Sequence, residues 1–190
     1  MRSRIRADLM YKSQMDLETL RYPVGKFDAA MSFTPATRMG AIDRLDALPS
    51  ELRTAVSGLD DRQLETPYRP EGWTVRQVVH HIADSHMNGL TRTKLALTEN
   101  SPVIKPYDEN AWATLGDMRL PIGVSLGIID GIHARWAAVF RSMNEAQFAR
   151  TMVHPERGVT MTLEFQLHDY AWHSSHHLAH ITRLRQREGW

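Results

Sequence analysis

Four stretches of this chain repeat apolar residues at steps of three and four, a period that fits one secondary structure, the amphipathic helix. The first runs through Ile42, Leu45, Leu48, Leu52, Val56 and Leu59, and the second through Val75, Val78, Val79, Ile82, Leu90 and Leu97. The third carries Ile128, Ile132, Trp136, Val139, Phe140 and Met143, and the fourth Leu163, Leu167, Tyr170, Leu178, Ile181 and Leu184. No strand pattern longer than a few residues competes with them. Each helix has one apolar stripe to bury, and 190 residues suffice for a single core, so the sequence predicts one all-α domain of the four-helix-bundle class.

Local signals mark the ends. Pro49 lies inside the first stretch and removes one backbone hydrogen bond, so that helix is expected to kink or restart there. Thr74, with Gln77 three residues on, is a capping box for the second helix, which should run to about Asn100, where Ser101-Pro102 stops it. Ser125 opens the third helix, and the fourth spans about Thr162 to Arg187. The connections before the third and fourth helices are long: residues 101–124, with a short helix expected at Asp108 to Leu115, and residues 150–161, where a turn or small hairpin precedes Thr162. Residues 1–35 show little periodicity and read as an irregular arm with a short helix around Met10 to Leu20.

Composition narrows the chemistry. The chain has no cysteine, which excludes disulfides, thiolate metal ligands, a cysteine nucleophile and iron-sulfur clusters, so any metal must be held by histidine or carboxylate. A net charge of +1 leaves no field to attract a polyanion, and nucleic acid is not expected as a partner. The basic start, MRSRIR, is followed by no apolar signal core, and no stretch approaches the roughly 20 apolar residues of a membrane span, so a cytoplasmic protein without a membrane partner is expected.

The histidines are the anomaly. Eight of the ten fall in two short segments, His80 to His86 and His168 to His180. On the fourth helix His173 and His177 are one turn apart on one face, the spacing that lets two ring nitrogens meet one ion, and His176 and His180 form a second such pair. The apolar stripe runs beside His173 and His177 while His176 points away from it, which ranks 173 and 177 first. A zinc-protease helix would carry Glu directly after its first histidine; here Ser174 stands there, and that class is rejected. A third ligand should come from another helix, and the second helix offers His80, His81, Asp84 and His86. His86 sits nearest its apolar centre, whereas His81 heads a polar stripe with Ser85, Asn88 and Arg92; spacing does not choose between them. His86 and His133 read more simply as packed, hydrogen-bonded core residues, Trp73, Trp112, Trp136 and Trp172 as core fillers, and Asp108-Glu109 as a charge pair at a helix start.

The run Gly72-Trp73-Thr-Val-Arg-Gln-Val-Val-His-His-Ile-Ala-Asp-Ser-His-Met-Asn88, followed by Trp172-His-Ser-Ser-His-His-Leu-Ala-His-Ile181, resembles the YfiT branch of the DinB-like superfamily. The likeness includes Tyr22-Pro-Val-Gly25, Thr66-Pro-Tyr-Arg69, Pro106-Tyr-Asp-Glu109, His154-Pro155 and Gly189-Trp190. It divides the chain into an irregular extension, residues 1–21, and a DinB-like bundle domain, residues 22–190. The resemblance implies one divalent metal per chain held by His81, His173 and His177, with zinc the default and nickel or cobalt suited to the same nitrogen donors. Members are described as metal-dependent hydrolases, and relatives use a low-molecular-weight thiol to conjugate or isomerise substrates; members also often pair, which implies a homodimer.

An open position on a three-histidine ion lowers the pKa of a bound thiol without a protein base, whereas hydrolysis calls for a carboxylate in reach, for which the sequence offers only Asp84, rotated aside from His81. The leading expectation is therefore transfer of a bacillithiol-like cosubstrate to a small electrophile. Metal-dependent hydrolysis on the same site is the alternative, and a non-catalytic binding bundle is the reading from a different class. Arg69 and Arg92 read as ordinary solvated arginines that could receive carboxylates of an acidic thiol or substrate.

Overall fold

The computed structural model describes residues 17–190. The helix expected around Met10 to Leu20 falls mostly outside them; within them, residues 17–21 are helical. The elements that follow are α1 (Pro35–Val56), α2 (Asp61–Leu64), α3 (Val75–Thr98), α4 (Glu109–Trp112), a single 3-10 turn (Gly116–Arg119), α5 (Gly123–Ser142), α6 (Glu145–Phe148), β1 (Thr151–His154), β2 (Val159–Thr162) and α7 (Leu163–Glu188). The fold is a four-helix bundle of α1, α3, α5 and α7 with one small antiparallel hairpin, β1 to β2, ahead of α7. No helix among the described residues is long and apolar enough to cross a membrane.

Side-chain caps set several helix starts close to where the sequence placed them, whereas α5 starts at Gly123, two residues before Ser125, with no side-chain cap. Thr74 Oγ1 accepts from Gln77 N at 3.2 Å while Gln77 Oε1 accepts from Thr74 N at 2.9 Å. Thr162 caps α7, and Gly189 ends it in the left-handed region at φ 73°, a conformation glycine adopts without strain. Asp108 caps α4 through Ala111 N.

The two halves of the core show how the helices run. One apolar cluster gathers Leu48, Leu52, Val75, Val79, Ile82, Leu126, Ile129, Ile181 and Leu184; the other gathers Ile42, Leu45, Leu90, Trp136, Phe140, Leu167 and Tyr170. Chain direction through the two clusters makes α1 parallel to α7 and α3 parallel to α5, with the pairs opposed. α1 packs on α5 and α7, and α3 on the same two. Because α3 and its neighbour α5 are parallel, residues 99–122 must return along the length of the bundle, which is why that connection is long.

Three sequence expectations are corrected. Of the kink or restart expected at Pro49, the restart does not occur: α1 is continuous from Pro35 to Val56. The Leu45 carbonyl, which would accept from residue 49 in an unbroken helix, instead receives the His133 ring at 2.5 Å, so the missing bond leaves no orphan. On α5 the expected stripe is buried at Trp136 and Phe140 but not at its start, where Ile128 is exposed and Ile129 takes its place beside the fully buried His133. Of the four tryptophans read as core fillers only Trp136 is one, with Trp73, Trp112 and Trp172 half-buried along a cavity wall or surface.

Candidate metal site

Between the two apolar clusters lies a layer of imidazoles. α3 supplies His81 and α7 supplies His173 and His177, and one donor nitrogen from each lies within 4.8 Å of the other two. The Nε2 atoms of His81 and His173 face one another at 3.3 Å. Two nitrogens each about 2.0–2.1 Å from one tetrahedral ion are roughly 3.3–3.4 Å apart, so the spacing fits a shared divalent ion. Burial pushes His81 down to about 4, helped by His176, and holds His173 and His177 well below the ordinary histidine range, with neighbouring imidazoles adding to the effect. Neutral rings are the form that ligates.

A cavity of about 700 Å³ opens beside the trio; His173 and His177 line it, and His81 stands against them with the Trp73 ring 4.5 Å away. Ser85 and Arg92, placed by sequence on a polar stripe with His81, also line it, so that part of the stripe faces a cavity, while Asn88 of the same stripe does not line it. Arg69 lines it too, as does Arg21. Among the described residues neither Arg21 nor Arg69 is in an ion pair with a carboxylate; Arg69 is held by the Tyr68 hydroxyl and the Pro70 carbonyl.

The remaining candidates are not part of the trio, although His176 and His180 line the same cavity. His80 is bonded to Ser125 Oγ at 2.7 Å and the Leu120 carbonyl at 3.1 Å, anchoring the connection into α5. Asp84, the one carboxylate the sequence offered for water activation, is outside the cavity lining; burial, and next Asp117, push its carboxyl up to about 6. His86 and His133 are fully buried and hydrogen-bonded, as read from the sequence. His176 does not point into solvent. It is buried, stacked on Trp172 at 4.5 Å and near Tyr22 at 5.8 Å. The segment after residue 20 lies across that face of α7, fixed by Trp172 Nε1 donating to the Gly25 carbonyl and His180 Nε2 to the Arg21 carbonyl, each at 3.1 Å. A helical wheel cannot show such a cover. His176, His177 and His180 form a second close group, but all three come from one helix and both ring nitrogens of His180 are engaged.

Sequence reasoning missed Asp169. It lines the cavity one turn before His173, and burial raises its carboxyl against the opposing pull of Arg157, 3.9 Å away. The spacing 169, 173, 177 was the available signal. Glu109 and Arg157 also line the cavity, from connections where no periodicity could place them.

Fold and cluster together describe a four-helix bundle with a buried histidine group beside an open cavity. Residues 44–181 match the DinB superfamily, and the chain belongs to it. It is 50% identical over 176 residues to a Geobacillus kaustophilus protein and 48% identical over 174 residues to one from Bacillus mycoides, both bearing the name "putative metal-dependent hydrolase"; the matches cover 92% of this chain and 98% and 100% of theirs. The solved structure of YfiT from Bacillus subtilis, described as a probable metal-dependent hydrolase with an unusual four-helix bundle topology, superposes with a TM-score of 0.88 at 46% identity, covering 90% of this chain and 99% of that one. A mycothiol-dependent maleylpyruvate isomerase shares the fold at a TM-score of 0.56 and 17% identity, over 73% of this chain and 60% of that one.

Proposed function

We propose that the protein is a metalloenzyme holding one divalent ion, zinc by preference, on His81, His173 and His177, and that it transfers a small acidic thiol of the bacillithiol type to an electrophile. The observation that carries the metal reading is the pair of neutral Nε2 atoms 3.3 Å apart beside His177, a spacing one ion satisfies. A bound ion would supply Lewis acidity and an open position at which an incoming thiol or water loses its proton more readily. The chain's own residues do the rest. Arg21 and Arg69, near the histidines and without carboxylate partners among the described residues, suit the carboxylates of an acidic thiol. Trp73 and Tyr68 wall that end against water, and Tyr68 stacks on His180 at 3.8 Å.

Hydrolysis is the second reading, and Asp169 favours it. A half-buried carboxylate with a raised pKa on the ligand stripe is the group suited to take a proton from water, and the curated relatives bear a hydrolase name.

Metal analysis of protein purified without chelator or nickel resin should give one divalent ion per chain. His81→Ala, His173→Ala and His177→Ala should each lose it, and His176→Ala should keep it; stoichiometric metal in His177→Ala refutes the ligand set. A panel of thiols with monochlorobimane or an epoxide, run beside ester, amide and phosphoester substrates, separates the reactions. Metal-dependent hydrolysis with no thiol requirement moves the reading to the hydrolase, and inactivity in both arms to a binding bundle.

A further inference from the structure

Behind the trio, on the side away from the cavity, His86 and His133 are buried completely, and nothing in the proposed chemistry uses them. They stand in line. His133 Nδ1 is 2.5 Å from the Leu45 carbonyl oxygen, His133 Nε2 is 2.7 Å from His86 Nδ1, and His86 Nε2 is 3.0 Å from His173 Nδ1. The far end fixes the sense of every bond. A carbonyl oxygen only accepts, so His133 donates from Nδ1, and a neutral imidazole has one ring hydrogen, so its Nε2 must accept. His86 therefore donates from Nδ1 and accepts at Nε2, and His173 donates from Nδ1. The lone pair of His173 is left on Nε2, the atom that faces His81. His86 and His133 are fully buried and neither is hydrogen-bonded to a carboxylate, so nothing beside them offsets a charge on these rings.

The Leu45 carbonyl is free to end this chain because residue 49 is proline and offers no N–H one turn on. We infer that Pro49, His133 and His86 are positioning residues, a relay of hydrogen bonds that selects the tautomer of His173 and presents its Nε2 lone pair to the metal. The inference rests on the metal-site reading above. A metal-bound histidine usually donates its outer N–H to a carbonyl or carboxylate, and here the carbonyl is reached through two imidazoles. His177 repeats the pattern: its Nδ1 is 3.4 Å from His180 Nδ1, and His180 Nε2 is 3.1 Å from the Arg21 carbonyl, which by the same logic leaves the His177 lone pair on Nε2.

Histidine in water prefers the opposite tautomer, with hydrogen on Nε2, so the relay has a preference to overcome. Replacing His133 by leucine removes the acceptor for His86 Nδ1–H and leaves that hydrogen buried and unpaired. The cheaper arrangement moves it to His86 Nε2, where it meets His173 Nδ1–H and turns that ring over as well. His173 then carries hydrogen on the atom the metal needs.

Long-range 1H–15N correlation of histidine-labelled protein reads these tautomers directly. In wild type, His86 and His133 should carry hydrogen on Nδ1 with and without zinc, and His173 should do so without it, with 15N–15N coupling across both N–H···N bonds. His133→Leu should invert His86 and His173 in the metal-free protein and weaken the zinc Kd by about 10-fold or more with helical circular dichroism unchanged. Pro49→Ala, which restores a competing N–H at the Leu45 carbonyl, should move both readouts the same way by less. Hydrogen on Nε2 of His86 or His133 in wild type overturns the relay, and so does a His133→Leu protein with His173 and the zinc Kd unchanged. Should His133→Leu not fold, the wild-type spectra decide alone. Expected tautomers in a protein that binds no zinc would sink the metal reading while the tautomer assignment stands.

Discussion

Gly89 gives a sharp test of how the site is assembled. It lies two turns beyond His81 on α3, and a Cβ there would fall 2.3 Å from Trp136 Cη2, 2.8 Å from Tyr170 Cζ and 2.9 Å from Trp136 Cζ2. Carbon atoms rest at about 3.5–4.0 Å, so the indole would have to retreat by more than about 1 Å. It has nowhere to go: Trp136 is fully buried and its Nε1 donates to Thr93 Oγ1 at 2.8 Å, while the Tyr170 hydroxyl donates to the Ser85 carbonyl at 3.1 Å. Overpacking costs about 1–3 kcal/mol, and an indole held this tightly puts the cost in the upper part of that range, about 2–3 kcal/mol; alanine returns about 0.8–1.0 kcal/mol of helix propensity, so Gly89→Ala should lose about 1–2 kcal/mol. For a chain of this length that lowers Tm by about 2–8 °C. The only other relief is for α3 to back away from α5 and α7, which widens the His81 to His173 gap, so zinc affinity should fall too. Thermal melts with and without zinc, with zinc calorimetry, measure both. Gly131→Ala on α5, where a Cβ meets nothing within 4 Å, is the control and should melt slightly higher. A Gly89→Ala protein that melts at or above wild type refutes the claim that this glycine sets the helix separation.

Chelation should lower Tm by removing about 2.7 kcal/mol of stability if zinc was at 100 times its Kd, yet leave helical circular dichroism intact at 25 °C, because both apolar clusters form without the ion; loss of the helical signal would make the site structural. All ten histidines sit below their ordinary pKa through burial, so the unfolded chain binds more protons: metal-free stability should be full above about pH 6.5 and fall with pH toward the folded values, about 4 for His81, His133 and His176 and about 3 for His180. Asp84, Glu109 and Asp169, raised by burial, soften that fall, and a Tm flat from pH 7 to about 5 contradicts the reasoning. We propose a homodimer in solution, and sedimentation showing monomer alone at micromolar concentration rules it out.

Helix number, caps and the pairing of His173 with His177 were legible because they are local: a period, a Thr-x-x-Gln, an i,i+4 spacing. The third member of the cluster was not, since His80, His81 and His86 differ only in which neighbour each meets, and the residues gave no means to tell α5, α7 and the 116–122 connection apart; the family likeness, not spacing, pointed to His81. Cover is equally non-local. His176 reads as outward on a wheel because the wheel omits Tyr22, which lies near it. Asp169 stands in plain periodicity with His173 and His177, but an acidic residue one turn before a histidine is also an ordinary helix pair, and only the cavity distinguishes the two.

The imidazole layer also bears on why this sequence has one fold. An apolar stripe alone tolerates a slip of one turn, about 5.4 Å, since leucine meets leucine again. The layer does not tolerate it: α1 contributes the Leu45 carbonyl, α5 His133, α3 His86 and α7 His173, each bonded to the next. A slip of any one helix unpairs groups that are buried away from water, and an unmet buried donor or acceptor costs about 1–3 kcal/mol. Such a layer need add nothing to net stability, because apolar residues packed in its place could serve as well, but a partial replacement is worse than either whole arrangement. The same bonds that set the helix register thus set the orientation of His173, which ties the geometry of the site to the one packing in which all four helices are in step.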